Sequence, residues 1–216
     1  MQNVYKRYWA HERIELNPNF LNPVLFSDEC SFTNSGAVNR HYWSVDNPHW
    51  LRPVECQRPW TVNLWCGILG EKLIGPYIIE GNLTSECYRN LLQNELPISL
   101  EDVDLEFRQS MWFQHDGCPA HYSVVAREVL NRNFEDPWIG RVGPLSWPAR
   151  SSDLTSPDFF LRGFLKGKVY EAVPTTRESM IEGIRNACAE IQSNLSFPGE
   201  SLKHCTTTAL GQTPDT

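Results

Sequence analysis

The chain predicts an α/β fold, a mixed β-sheet with helices packed on its faces. Three observations lead there. Two strand-length apolar runs joined by Gly70-Glu71-Lys72 read as a β-hairpin. Further apolar runs then alternate with segments of helical spacing. Finally, 216 residues with 41% hydrophobic and 12% aromatic content suffice for one sizeable core.

The elements follow in order. Residues 4–16 (VYKRYWAHERIEL) carry amphipathic helical spacing, which Asn17-Pro18-Asn19 and Asn22-Pro23 end. Val24-Leu25-Phe26-Ser27-Asp28-Glu29 is a buried strand that finishes in acid. Residues 33–60 are loop-like, with Val38–Trp43 as a small strand candidate. The hairpin strands run from Val62 to Leu69 and from Leu73 to Ile79. Thr84-Ser85-Glu86 opens a helix whose spacing continues to residue 96. Met111–Asp116 is a second apolar run ending in acid. Residues 121–133 are helical, with Val124, Val125, Ala126 and Val129 on one face, and Ile139–Leu145 is a short strand. Pro157-Asp158 opens a helix through Leu165, and Thr175-Thr176-Arg177-Glu178 caps a last helix running to about Ile191. From about Ser193 the chain becomes rich in Ser, Thr, Gly and Pro and loses its apolar period, so 192–216 reads as a disordered or unrelated tail beside a domain spanning 1–191.

Composition narrows the function. No run reaches the ~18 apolar residues of a membrane span, and the start lacks the pattern of a signal peptide, so an intracellular protein is expected. Seven cysteines without a C-x-x-C pair argue against a disulfide framework and against structural zinc, including at His115, Cys118 and His121. The net charge of −7 is unlike that of a dedicated DNA-binding module. It is compatible with a nuclease core whose carboxylates are neutralised by metal.

Three aspartates carry the chemistry. They lie in F-S-D-E at 26–29, H-D-G-C-P-A-H at 115–121 and D-L-T-S-P-D-F-F-L at 153–161. In open α/β sheets, sites gather at the carboxyl ends of strands, where Asp28 and Asp116 fall. A buried carboxylate with no partner is costly, and neither aspartate has an adjacent Arg or Lys. A divalent ion would resolve both. Mg²⁺ and Mn²⁺ want oxygen ligands, and a few carboxylates suffice when substrate phosphates complete the shell. Asp158, at a helix start, would face back toward the sheet, and Asp153 competes with it for that third role. Glu29 points away from Asp28 in an extended chain, as His115 does from Asp116. His121 either satisfies its helix start or orients a neighbour.

These three blocks resemble those of mariner-like transposases, within the aspartate-triad transposase and integrase group. The stretch G-A-V-N-R-H-Y-W-S-V-D-N-P-H-W is similar to the insect branch. The resemblance covers about residues 15–191. It implies an RNase H-like fold with a mixed five-stranded sheet flanked by helices. It implies that Asp28, Asp116 and Asp158 are catalytic and hold two Mg²⁺ or Mn²⁺ ions, and it favours Asp158 over Asp153. It further implies strand hydrolysis at a transposon end, then attack of the freed 3′-hydroxyl on target DNA at TA. A spacer of 41 residues between Asp116 and Asp158 is longer than in typical mariners and points to a sister branch. The third block departs from the family pattern: Ser152 and Ser156 stand for prolines, Pro157 is inserted, and Arg162 replaces an aromatic. The family's paired helix-turn-helix domains and C-terminal helices have no counterpart here, so the chain reads as a truncated core.

Two functions follow, and a third is weaker. The first is a metal-dependent DNA endonuclease and strand-transfer core that contacts DNA through domains outside this sequence. The second is an inactive remnant keeping the fold and weak nucleic-acid or protein binding. The third is a nuclease for RNA–DNA hybrids. A homodimer and nuclear residence are expected from the family; a membrane or small-molecule partner is not.

Overall fold

The computed structural model describes residues 12–35, 59–134, 137–147, 155, 157, 161–172 and 174–193. The candidate strand over 38–43, Asp153, Asp158 and the tail from 194 onward lie outside these residues. Six strands form one mixed sheet in the order β3-β2-β1-β4-β5-β6. They are β1 (Val24–Thr33), β2 (Thr61–Leu69), β3 (Lys72–Ile79), β4 (Trp112–Gln114), β5 (Trp138–Gly140) and β6 (Leu145–Ser146). The first three strands pair antiparallel, and β1, β4, β5 and β6 pair parallel.

The expected five strands become six because the run 139–145 does not stay extended. Residues 141–144 turn, so Ile139 pairs with Leu145 and two short parallel strands replace one. The hairpin forms at the expected place, with Gly70 at φ +57°, a left-handed conformation that glycine adopts at little cost.

Helices cover both faces. On one side lie α1 (Ser85–Asn90), a π-helical segment (Leu91–Glu95), α2 (Leu96–Ser99), α3 (Leu105–Ser110) and α4 (Val124–Phe134). On the other lie α5 (Arg162–Val169) and α6 (Arg177–Ser193). Thr84 caps α1 through its hydroxyl, which accepts from the Cys87 amide at 3.2 Å. Thr176 serves α6 in the same way through the Ser179 amide at 3.1 Å.

β1 and β2 alternate between two cores. Leu25, Trp65 and Leu69 join Tyr88, Leu92, Phe113, Ala126, Leu130 and Trp138 on the α1/α4 side. Cys30, Phe32, Leu64 and Cys66 join Leu165, Met180, Ile184 and Cys188 on the α5/α6 side. The apolar stripe of α4 runs through Ala126, Val129, Leu130 and Phe134, so Val124 is exposed. The helix begins at Val124, which faces solvent, while Val125 is half-buried and Ala126 and Val129 face the core as read from sequence.

Gly140 ends β5 against the ring of His115. A Cβ there would lie 2.4 Å from His115 Nε2 and 2.6 Å from Cδ2, with Trp138 at 3.0 Å. These rings are buried, so the strain has no easy outlet. Gly140→Ala is expected to cost about 1–3 kcal/mol in urea unfolding. An unchanged midpoint would contradict the packing described.

Candidate metal and active site

The last Cα pair between the parallel neighbours β1 and β4 is Phe26 with Gln114, and each aspartate lies two residues beyond it. β4 stops at Gln114, so Asp116 opens the loop at its carboxyl end, while β1 runs on to Thr33 and holds Asp28 mid-strand. Ser27 ties that end together by donating its hydroxyl to the Gln114 carbonyl at 2.8 Å.

The side chains then part company. Asp28 sits opposite Cys66, on the α5/α6 side, and its side chain is only 9% exposed. Its charge is met by a cation that no local sequence rule reveals. Arg162, first residue of α5, donates Nη2 to Asp28 Oδ1 at 2.7 Å and sets Nε 2.5 Å from Oδ2. The same Nη2 reaches the Glu29 carbonyl at 2.6 Å. The guanidinium forks over both carboxylate oxygens, but only the Nη2–Oδ1 arm is a hydrogen bond; the Nε–Oδ2 arm is a close charge contact. The expectation that Asp28 lacks a neutralising partner is therefore corrected: the partner arrives from 134 residues away.

Asp116 belongs to a second cluster. Its Oδ1 accepts the Cys118 amide at 2.9 Å and lies 2.7 Å from His121 Nδ1. The other ring nitrogen, Nε2, lies 3.1 Å from Glu29 Oε1. His121 is thus a buried bridge between two carboxylates. Burial opposes its charge, but the bonds to Asp116 and then Glu29 prevail and push its pKa up to about 10. The imidazolium in turn holds Asp116 below the usual carboxylate range, against the opposing effect of burial.

His115 stacks on His121 with ring centroids 5.0 Å apart and meets the Tyr88 hydroxyl at 2.9 Å through Nδ1. Burial first, and the neighbouring His121 charge second, lower its pKa to about 3. The two stacked rings therefore differ in charge at neutral pH: His115 is neutral and His121 is cationic.

Of the three predicted ligands, Asp28 lies within β1, Asp116 lies just past β4, and Asp158 lies outside the described residues. Glu29 and His121, which sequence reasoning set aside as ligands, join Asp116 instead; the ligand atoms of these three lie within 4.8 Å of one another. The signal for this was their closeness to the end of β4, visible only once β1 and β4 are known to be neighbours. The two carboxylates suit a hard divalent cation, whereas His121, protonated between them, would have to give up a proton to act as a ligand. Asp116 is half-exposed, and its described contacts fall on Oδ1, which leaves Oδ2 for an ion. Asp28 has the right donors, but both meet Arg162, so it fits an ion only once the guanidinium withdraws.

No protein-family model and no curated protein matches the chain. Solved structures do. The Mos1 mariner paired end complex with Mn superposes with a TM-score of 0.70 at 16% identity, covering 97% of this chain and 62% of that one. The isolated catalytic domain of Mos1 gives 0.66 at 17% identity, covering 99% and 96% respectively. The fold is that of the Mos1 mariner transposase catalytic domain, an RNase H-like α/β architecture. The chain spans 63% of the Mos1 transposase in its paired-end complex with the left transposon end. The Mos1 catalytic domain has also been solved with Raltegravir and Mg, and with Raltegravir and Mn.

Proposed function

We propose that this chain is the catalytic core of a mariner-type DNA transposase. Its reaction would be hydrolysis of a phosphodiester at a transposon end, followed by attack of the freed 3′-hydroxyl on target DNA at TA. One observation supports the reading: Asp28 in β1 and Asp116 just past β4 each lie two residues beyond the last pair of these parallel neighbours, in the fold of a transposase catalytic domain. Two Mg²⁺ or Mn²⁺ ions bound there would polarise the scissile phosphate and activate water.

The protein's own groups have separate tasks. Asp28 supplies a rigid carboxylate from the middle of a ten-residue strand. Asp116 is oriented by the Cys118 amide and by His121, which fix one oxygen and leave the other to a ligand. Asp158 completes the set. Glu29 acts through His121 rather than on substrate, as a positioning residue. Transposon-end and TA target DNA are the proposed partners, with a homodimer and a nuclear setting as further parts of the same reading.

The test is nicking of supercoiled plasmid by the purified chain in Mn²⁺ or Mg²⁺. Nicked circles that EDTA abolishes are expected. A folded chain that leaves the plasmid intact at high Mn²⁺ would favour a second reading, an inactive remnant that keeps the fold. The observation favouring that alternative is the Arg162 fork on Asp28.

A further inference from the structure

The fork itself has a function within the metal-dependent reading, on which the following rests. Asp28 presents two oxygens, and both are engaged by one guanidinium. The carboxylate is nearly buried while Arg162 is 39% exposed, so the guanidinium lies between Asp28 and solvent. Leu161 and Leu165 on either side are buried, which fixes where the Arg162 side chain emerges. Asp28, Cys30, Cys66 and Arg162 line one small cavity, so the guanidinium closes over Asp28 in the middle of β1.

We propose that Arg162 is a resident cation standing where a divalent ion must bind Asp28, and that it sets the metal affinity of this chain. Metal entry at Asp28 is then an exchange of one cation for another rather than a capture by a free carboxylate. The chain binds divalent ions weakly, and Arg162, not the aspartates, is the reason. The side chain has a retreat available, because its exposed edge already faces water.

The experiment is calorimetric titration of Mn²⁺ into the full chain and into Arg162→Ala, Arg162→Lys, Asp28→Asn and the Arg162→Ala/Asp28→Asn double variant. Thermal melts with and without Mn²⁺ accompany each titration. Loss of a charge-assisted fork should tighten Mn²⁺ binding by about tenfold or more in Arg162→Ala. Arg162→Lys keeps the charge but not the two-pronged geometry, so its affinity should fall between wild type and Arg162→Ala. Arg162→Ala should melt below wild type without metal, because the buried Asp28 loses the guanidinium charge, and should regain more of its melting temperature on adding Mn²⁺. If Arg162→Ala does not fold, Arg162→Lys decides: binding no tighter than wild type overturns the proposal. Equal affinity in wild type and Arg162→Ala, with Asp28→Asn abolishing binding, overturns the exchange while leaving the metal site standing. Tighter binding in Arg162→Ala that survives in the double variant places the ion away from Asp28 and overturns the metal-dependent reading as well.

Discussion

Asp116→Asn should abolish metal-dependent strand cleavage. An ion held by this carboxylate contributes several kcal/mol of charge stabilisation to the reaction, which at about 1.4 kcal/mol per decade is roughly a 10³-fold loss or more. An asparagine keeps the shape and can still accept the Cys118 amide, so the loop at 116–118 should persist. It does not keep the charge that His121 needs. The imidazolium would then have Glu29 as its sole described carboxylate partner, and its pKa should fall from about 10 toward the ordinary value. The variant should therefore also lose stability at neutral pH, by about 1–3 kcal/mol for a charged buried hydrogen bond. Because that loss alone leaves most molecules folded, the two effects separate cleanly: cleavage vanishes while a cooperative melt remains. Cleavage at the wild-type rate in Asp116→Asn would remove this residue from the mechanism.

The stacked histidines predict a stability that peaks near pH 6.5. His121 is raised from 6.5 to about 10, so between those values the folded chain holds a proton that the unfolded chain has released. Its contribution is complete below 6.5 and is lost as pH rises toward 10. His115 is lowered from 6.5 to about 3, so between those values the unfolded chain holds the extra proton. Its effect is absent above 6.5 and grows as pH falls toward 3. Each limb amounts to one proton, or about 1.4 kcal/mol per pH unit in the steep part of the window. The cleanest interval is about pH 7 to 8 in EDTA, above the carboxylates and below the midpoint of a free thiol. Urea unfolding there should show stability falling with pH in the wild type, and a flat profile in His121→Gln. A wild-type profile that is flat over this interval would mean that His121 is not a buried imidazolium.

The fold was largely legible in sequence, and the reasons are local. The apolar runs at 24–29 and 111–116 marked strands and Gly70-Glu71-Lys72 marked the hairpin, because each depends on neighbours in the chain; the acid at Asp28 did not mark an end, since β1 pairs with β2 as far as Thr33. The turn over 141–144 was missed although it is local: Gly140 and Gly143 lie where a Cβ would meet the Trp138 ring, two and five residues back in the chain. The face of α4 was misread only at its start: Val124 is exposed and Val125 half-buried, and both precede the stripe that begins at Ala126. At the site, the aspartates were legible as motif residues but their counter-cations were not. Arg162 is visible in sequence only as a residue standing where an aromatic was expected; its pairing with Asp28 needs α5 folded over the sheet. His121 and Glu29 meet only because β1 continues past the end of β4, which lets a residue on the far face of β1 reach the loop that follows Asp116.

Crystals grown in Mn²⁺ and measured at the manganese absorption edge test the metal assignment most directly. An anomalous peak about 2.1 Å from carboxylate oxygens of both Asp28 and Asp116 is expected, with Arg162 displaced from its fork. A peak confined to Glu29, Asp116 and His121 with the fork intact, or no peak at saturating Mn²⁺, would contradict it.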